Sequence, residues 1–463
     1  MLNHFNFKKY GNEILITNDF GRYLFLTYEE FRRFLKQDFE MADDLGAKLH
    51  KNLFVVEPVD FYSYETATDL RAMKQYTFSS TSLHIFVLTT ACNLRCIYCQ
   101  AQEDHDKQAG VMSAEVARAA VDVALQSPAN NLTFEFQGGE PLFNFPVMKE
   151  IIEYANTRKG TKSVEFTLVS NLSLLTEEIM DYLLSHGVNI CTSLDGPRDV
   201  HDWNRVAGNG ISSYDMVMRG MKLLKSRGHS VGAIQTTTRH ALAYAREIVQ
   251  EYYRLGTPGI FLRPLTPLGY AKKDWASIGY SADEWLTFYR TAFDEIIKVN
   301  MDGQVFPEQH ARYFLKKILH GFSYNYMELR SPCGASIGQL AYYCNGDVYT
   351  CDEARMIAEA GDPAFRLGNV LTDTYQDIVS CNTCKATCAA SVLETVPGCC
   401  DCVYQPYCGI CPVVNYALEG DIFPREAKNY RCQIYGGILE FLFGLLHEAD
   451  EDVIRILKSW IED

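Results

Sequence analysis

Long apolar runs, basic charge and low-complexity tracts are all scarce in this sequence of 463 residues, and each scarcity removes a class of protein. The longest apolar-rich stretch near the end, Ile438–Leu446, is broken by Glu440 and Gly444. It falls far short of the ~20 residues a membrane helix needs, so no membrane partner is expected. Met1–Tyr10 is polar and aromatic, without the apolar segment of a signal peptide. Basic residues number 43 against 58 acidic ones, for a net charge of −15. Nucleic-acid binding needs clustered Lys and Arg, so that class is not expected either. A peptide substrate stays compatible. A composition of 47% hydrophobic and 22% charged residues is globular. The expectation is a soluble, cytoplasmic chain of more than one domain, since single cores stop growing near ~250–300 residues.

What is plentiful is cysteine. Sixteen cysteines in a reducing compartment point to metal ligation or redox chemistry rather than to disulfides. Cys92, Cys96 and Cys99 form one group, Cys191 stands alone inside an apolar run, and twelve lie between Cys333 and Cys432. Cys191 reads as core.

Three regions separate along the chain. Residues 1–75 read as a small α+β unit, with strands at Glu13–Thr17, Arg22–Thr27 and Leu53–Val56. Its helices are one with Phe31, Phe34 and Leu35 on one face and another near Asp43–His50. Residues 82–310 alternate. Apolar, β-branched runs at His84–Thr90, Leu132–Phe136, Val164–Ser170, Val188–Ser193, Val231–Thr237 and Ile260–Leu265 are separated by amphipathic helical segments such as Ala114–Leu125. Six β-then-α units call for a parallel sheet with right-handed crossovers. If the sheet curls into a barrel, its chemistry belongs at the carboxyl ends of the strands. Residues 325–435 are rich in cysteine and loops, and residues 436–463 form C-terminal helices.

The motifs fall where that demand puts them. Thr90-Ala-Cys-Asn-Leu-Arg-Cys-Ile-Tyr-Cys99 follows the first barrel strand. Three thiolates at intervals of four and three can wrap three corners of an iron–sulfur cube, which normally has four thiolates, so one iron is left open. Zinc or structural cysteine is the bland alternative. Gln137-Gly-Gly-Glu-Pro141 follows the second strand, where Gly138 and Gly139 allow close backbone approach and Glu140 can accept from an ammonium group. Ser170-Asn171, Ser193-Leu-Asp-Gly-Pro197 with Arg205, and Arg263-Pro-Leu265 follow the third, fourth and sixth.

These residues resemble the radical S-adenosylmethionine superfamily. The resemblance implies a partial (β/α)6 barrel in which Cys92, Cys96 and Cys99 hold one 4Fe–4S cluster. Its open iron binds S-adenosylmethionine, which is cleaved on reduction to a 5′-deoxyadenosyl radical that abstracts hydrogen from substrate. Carried over, Tyr98, Gly138, Gly139, Glu140, Ser170, Asn171, Ser193, Arg205 and Leu265 are the cofactor-binding positions. Glu140 would hold the methionine amino group, Ser170 and Asn171 the ribose, Arg205 the carboxylate, and Leu265 would line the adenine pocket.

The C-terminal cysteines resemble the SPASM domain of peptide-modifying radical enzymes. That resemblance implies two auxiliary 4Fe–4S clusters, one on Cys333, Cys351 and Cys411, the other on Cys399, Cys402, Cys408 and Cys432. Zinc-ribbon ligation by C-x-x-C pairs is not excluded by spacing alone. The interval from Cys408 to Cys411 is one residue shorter than the common pattern. The fourth ligand of the first cluster stays open between Cys344, Cys388 and a substrate group; Cys381, Cys384, Cys388 and Cys400 exceed the pattern. Asp352 matches the position of a proton-accepting aspartate in sulfatase-maturing relatives and is the candidate catalytic base; it can equally cap a turn.

Leu15-Ile-Thr-Asn-Asp-Phe-Gly21, Cys351-Asp-Glu-Ala-Arg-Met356 and Tyr407-Cys-Gly-Ile-Cys-Pro412 further resemble the His-Xaa-Ser system maturases. The implied partners are a ribosomal precursor peptide and an external electron donor such as flavodoxin or ferredoxin. The first 75 residues would then be a leader-peptide module that recruits an extended strand, or plain decoration. Two other functions compete: a formylglycine-generating, sulfatase-maturase-like enzyme, and a non-catalytic iron–sulfur carrier, which would have no use for a cofactor cradle.

Overall fold

The computed structural model describes residues 1–56, 64–102, 108–424, 428–448 and 450–462. Parts of the three sequence-defined regions, at 57–63, 103–107 and 425–427, therefore lie outside the described residues.

The N-terminal unit is a three-stranded antiparallel sheet of β1 (Asn6–Tyr10), β2 (Glu13–Thr17) and β3 (Tyr23–Thr27), in that order. Helix Tyr28–Lys36 follows at once, closed by a capping box between Thr27 and Glu30. Helix Asp44–Lys51 is capped by Asp43. Two expectations fail here, and one strand is unforeseen. Leu53–Val56 is not a strand; Val55 makes a single bridge to Leu2, and the third strand is β1 instead. Lys8 and Lys9 hide β1 from a hydropathy reading. Leu35 is half exposed, while Phe34 carries the buried face.

The alternating region forms the expected parallel sheet. β4 (Leu83–Thr89), β6 (Asn131–Gly138), β7 (Ser163–Ser170), β8 (Asn189–Ser193), β10 (Gly232–Thr236) and β11 (Phe261–Arg263) lie in the order 11-10-8-7-6-4. β5 (Leu94–Cys96) and β9 (Arg205–Ala207) form a separate antiparallel pair. Phe134, Phe136, Phe166 and Leu168 are buried in the main core with residues of the surrounding helices. Register carries the other face around the sheet: Ile85 stands beside Glu135, Glu135 beside Thr167, Val169 beside Cys191, Ser193 beside Ile234 and Thr236 beside Arg263. Cys191 is thus on the inner face of the barrel and half buried, not in the packed outer core.

The cysteine-rich region does not start a new sheet. β12 (Gln339–Tyr342) pairs in parallel with β4 and antiparallel with β13 (Asp347–Tyr349), and β14 (Arg366–Asn369) completes nine strands. The turn between β12 and β13 is Asn345-Gly346, with Gly346 at φ +88°, and Cys351 stands just beyond β13. This is the fold class read from sequence. Among the described residues no helix is long and apolar enough to cross a membrane.

Candidate iron–sulfur and cofactor site

The cluster loop leaves β4 and is clasped from two sides. On one side β5 pairs with β9, which sets Cys96 opposite Arg205. On the other, the Gly139 and Glu140 N–H groups donate to the carbonyls of Thr89 and Ala91, both at 2.8 Å. Only glycine fits this clasp: a Cβ on Gly138, at φ +153°, would stand 2.2 Å from the Thr89 oxygen, and one on Gly139 2.3 Å from the Ala91 oxygen.

Behind the loop is a buried polar hub. Asp195 accepts from the Tyr98 hydroxyl at 2.8 and 3.0 Å, from Asn204 Nδ2 at 3.1 Å and from the Thr236 N–H at 3.3 Å. Arg205 lies over the Tyr98 ring, 5.4 Å from its centre, with Nη1 4.0 Å from Cys96 Sγ. Tyr98 therefore meets Asp195 and Arg205 with its side chain, as a support beneath the loop.

Glu140 is fully buried and accepts three bonds: Ser170 hydroxyl at 2.8 Å, Asn171 N–H at 2.8 Å and Leu142 N–H at 3.1 Å. Burial still pushes its carboxyl up to about 7. Ser170 is engaged by Glu140 and by the Leu172 N–H, rather than standing free for a ribose. Asn171 reaches Asn93 Oδ1 at 3.1 Å and Cys92 Sγ at 3.9 Å, so it too faces the cluster loop. Ser193 is half buried on the inner face. Leu265 is fully buried, its N–H donating to the Tyr280 hydroxyl at 2.7 Å.

The three loop thiols are all pushed up by burial, Cys92 to about 12, so iron binding there displaces protons. The site fits an iron–sulfur cluster with an amino-acid-bearing cofactor. Three sulfurs stand on one loop, two glycines clear its flank, an anionic group is buried at the strand end, and Arg205 Nε is buried without a hydrogen bond. Cys92, Cys96 and Cys99 would hold the cluster; Glu140 and Arg205 are the charges suited to an ammonium and a carboxylate. Among the described residues, no three Cys, His, Asp or Glu converge as ligands of one ion.

The C-terminal cysteines sort into two places. Cys333, Cys351 and Cys411 share one buried cluster with Ala335, Ala354 and Val414. Cys399, Cys402, Cys408 and Cys432 line a cavity of about 280 Å³, and Cys411 lines it too, between the two groups. The other three act on the Cys408 thiol, whose burial drives it far up. Cys344 packs in the barrel core against Gly110, where a Cβ would come within 2.7 Å of its sulfur. Cys384 and Cys388 contact each other on the helix Asn382–Ala389. Asp352 is tied to the nearly inaccessible Arg355, Oδ1 to Nε at 2.7 Å.

Several residues of the site carry no sequence motif. Glu135 faces the barrel interior, bonded by Gln137 Nε2 at 2.5 Å, and burial raises its carboxyl. Arg263 pairs with Glu328 at 2.8 Å, and Arg431 pairs with the same carboxylate. Lys317 is buried and donates to the carbonyls of Leu329 and Tyr407, both at 2.9 Å, beside Cys408. Alternation of β6 marks Glu135 as inward once the sheet is known, and Arg263 opens the segment singled out after the sixth strand; nothing marks Glu328, Arg431 or Lys317.

The fold and the three-cysteine loop define an α/β barrel enzyme domain built for an iron–sulfur cluster and a bound cofactor. Residues 86–244 match the model of the Radical SAM superfamily, and the chain carries a radical SAM domain, the unit that binds S-adenosylmethionine and a 4Fe–4S cluster. A serine-type anaerobic sulfatase-maturating enzyme of Bacteroides thetaiotaomicron is 23% identical over 78% of this chain and 90% of its own length. The chain spans 62% of an uncharacterized Methanocaldococcus jannaschii protein, at 30% identity over 183 residues. Among solved structures, anSMEcpe with bound AdoMet superposes with a TM-score of 0.70 at 21% identity, covering 82% of this chain and 99% of that one. SuiB of Streptococcus suis bound to precursor peptide SuiA gives 0.54 at 14% identity, covering 92% and 99%. At these identities the likeness is one of fold.

Proposed function

We propose that this protein is a peptide-modifying radical S-adenosylmethionine enzyme that abstracts hydrogen from a residue of a ribosomally made precursor. The observation that carries the reading is the clasped loop of Cys92, Cys96 and Cys99, with buried Glu140 on one side and the unsatisfied Nε–H of Arg205 on the other. When bound there, the cluster and S-adenosylmethionine supply one-electron cleavage and a hydrogen-abstracting radical. The chain's own residues bind and orient. Glu140 takes the amino group, Arg205 the carboxylate, and Leu265 with the inner strand ends shuts out water. Cys333, Cys351 and Cys411 hold one auxiliary cluster; Cys399, Cys402, Cys408 and Cys432 hold another, and an external flavodoxin or ferredoxin delivers the electron.

A peptide substrate is supported by the precursor-bound SuiB structure among the fold neighbours. The N-terminal unit adds to this. Its β3 is a sheet edge, and Phe7, Tyr28 and Leu35 are exposed apolar groups on the same small unit. An extended leader could add to such an edge.

A second reading, oxidation of a protein Ser or Cys to formylglycine, is favoured by the sulfatase-maturating relatives and by Asp352 at the barrel mouth, where its charge reaches Glu135. One anaerobic experiment separates the readings. The reconstituted protein is reduced with S-adenosylmethionine and offered either a candidate ribosomal precursor peptide or a sulfatase-derived peptide. Release of 5′-deoxyadenosine with a mass change on the precursor supports the first; a hydrazine-trapped aldehyde on the sulfatase peptide supports the second. If no 5′-deoxyadenosine forms with either, both are wrong.

A further inference from the structure

Three of the four C-x-x-C pairs in the chain belong to the cysteine groups already described; Cys381-Asn-Thr-Cys384 does not. Its two sulfurs are set differently. Cys381 is the cap residue of the helix Asn382–Ala389, with extended backbone at φ −67° and ψ 162°. Its side chain turns over the first turn of that helix, where the Cys384 N–H donates to Cys381 Sγ at 3.4 Å. Cys381 is half-buried, whereas Cys384 is only 2% exposed. A reachable sulfur at a helix N-terminus, with a sheltered one three residues on, is the arrangement of a reactive dithiol, because the terminal N–H groups favour a thiolate.

Cys388, on the same helix, is the rival partner for Cys384. Its hydrogen bond holds the Cys384 thiol below its ordinary value. Residues i and i+4 of a helix keep their Cβ atoms about 5–6 Å apart, whereas a disulfide needs about 3.5–4.5 Å. A bridge from Cys384 to Cys388 would therefore distort the helix that carries both. Cys381 stands at the helix cap, outside the helical backbone, and reaches Cys384 without that distortion.

We propose that Cys381 and Cys384 form a redox-active dithiol that exchanges with small-molecule disulfides. The Cys381 thiolate attacks one sulfur of the external disulfide, and half of that molecule leaves as a thiolate. Cys384 then attacks the Cys381 sulfur, and the second half leaves. One external S–S bond is broken and one internal S–S bond is formed. The two thiol protons pass to the two leaving thiolates, so the external disulfide is reduced to two thiols while the pair is oxidised. The pair lies outside both auxiliary groups and does not depend on their reading. It is one short helix away from Cys333, whose N–H donates at 3.0 Å to the hydroxyl of Ser391, just beyond the far end of that helix.

The test exposes the full, anaerobically reconstituted chain to glutathione disulfide and then alkylates every remaining thiol after denaturation. Cleavage after Arg366 and Lys385 frees one peptide that holds Cys381 and Cys384 and no other cysteine. That peptide should lose the mass of two hydrogens and take up no alkyl group, and dithiothreitol should restore both alkylation sites. Cys384→Ser should stop halfway, with glutathione held on Cys381. Cys381→Ser should carry no glutathione on the sheltered Cys384. Circular dichroism equal to that of the parent shows that both variants fold. Full alkylation of the parent peptide overturns the proposal, as does a bridge from Cys384 to the peptide that carries Cys388. Absence of the adduct in Cys384→Ser, or its presence on Cys384 in Cys381→Ser, overturns the assignment of Cys381 as the attacking sulfur.

Discussion

Arg205 Nε lies 3.2 Å from Asp195 Oδ2 and yet forms no hydrogen bond there. The reason is that Asp195 already receives Tyr98, Asn204 and Thr236. Asp195 therefore offsets the charge of Arg205 without using its Nε–H, which stays available for another acceptor. Removing one partner of a buried pair leaves the other uncompensated, at a cost of about 3–5 kcal/mol. Asp195→Asn is expected to lower stability by that order in chemical denaturation. It should also weaken S-adenosylmethionine binding in titration calorimetry of the anaerobic protein. Unchanged values for both would show that the pair does not position Arg205.

Gly139 tests the clasp. A methyl group there collides with the carbonyls of both Thr90 and Ala91, neither of which is a flexible side-chain end. Overpacking of this kind costs about 1–3 kcal/mol, and here the strain falls on the cluster loop itself. Gly139→Ala should bind substantially less iron on anaerobic reconstitution while keeping its circular dichroism. Full iron content in that variant would mean the loop tolerates displacement.

The sequence made the barrel legible because a strand buried on one face and amphipathic helices both announce themselves by period. Ala114–Leu125 was delimited to the residue. Cys92, Cys96, Cys99 and the Gly-Gly-Glu run were legible because their spacing is itself the chemistry. What escaped was anything set by register between distant strands. That Cys191 faces the lumen beside Glu135 follows only from which residues pair across β6, β7 and β8. The role of Asp195 escaped for a similar reason, since its partners come from the cluster loop, from Asn204 and from β10. β1 escaped because polar Asn6 and Lys8 take its inward positions and Phe7 an exposed one, which inverts the expected alternation.

Glu308 gives a pH signature away from the cofactor. It caps the helix Gln309–His320, accepting from the Ala311 N–H at 2.8 Å, the Tyr289 hydroxyl at 2.7 Å and the Leu262 N–H at 3.3 Å. Burial nevertheless raises its carboxyl to about 7. A carboxyl raised in the folded state binds its proton more tightly there than in the unfolded chain. Its contribution is therefore full below the ordinary carboxylate value and is lost as pH rises to about 7. The stability of the native chain relative to Glu308→Gln should fall by about 3 kcal/mol between those limits, at 1.36 kcal/mol per unit. Denaturation at pH 5 and pH 8 measures it; a difference that grows with pH contradicts the sign.

The N-terminal sheet is bolted to the loop that carries the second cysteine group. Asn6 Nδ2 donates to the carbonyls of Cys400 and Cys402, both at 3.1 Å, and the buried Thr17 hydroxyl donates to the carbonyl of Val403 at 2.7 Å. Those three carbonyls lie between Cys399 and Cys408, so their anchoring stiffens the ligands of one cavity. Thr17→Val would leave the Val403 carbonyl buried without that donor, at a cost of about 1–3 kcal/mol. The expected consequence is at the metal: several-fold faster release of part of the iron to a chelator. Thr27→Ala serves as the control, because it removes the cap of helix Tyr28–Lys36 at the exposed side of the same unit, at a cost of about 1 kcal/mol, without touching the loop. If the two variants lose iron at the same rate, general loosening of the N-terminal unit explains the effect. If only Thr17→Val accelerates it, the sheet acts as a brace for Cys399, Cys402 and Cys408, and a peptide that moves the sheet would reach the cluster through these bonds.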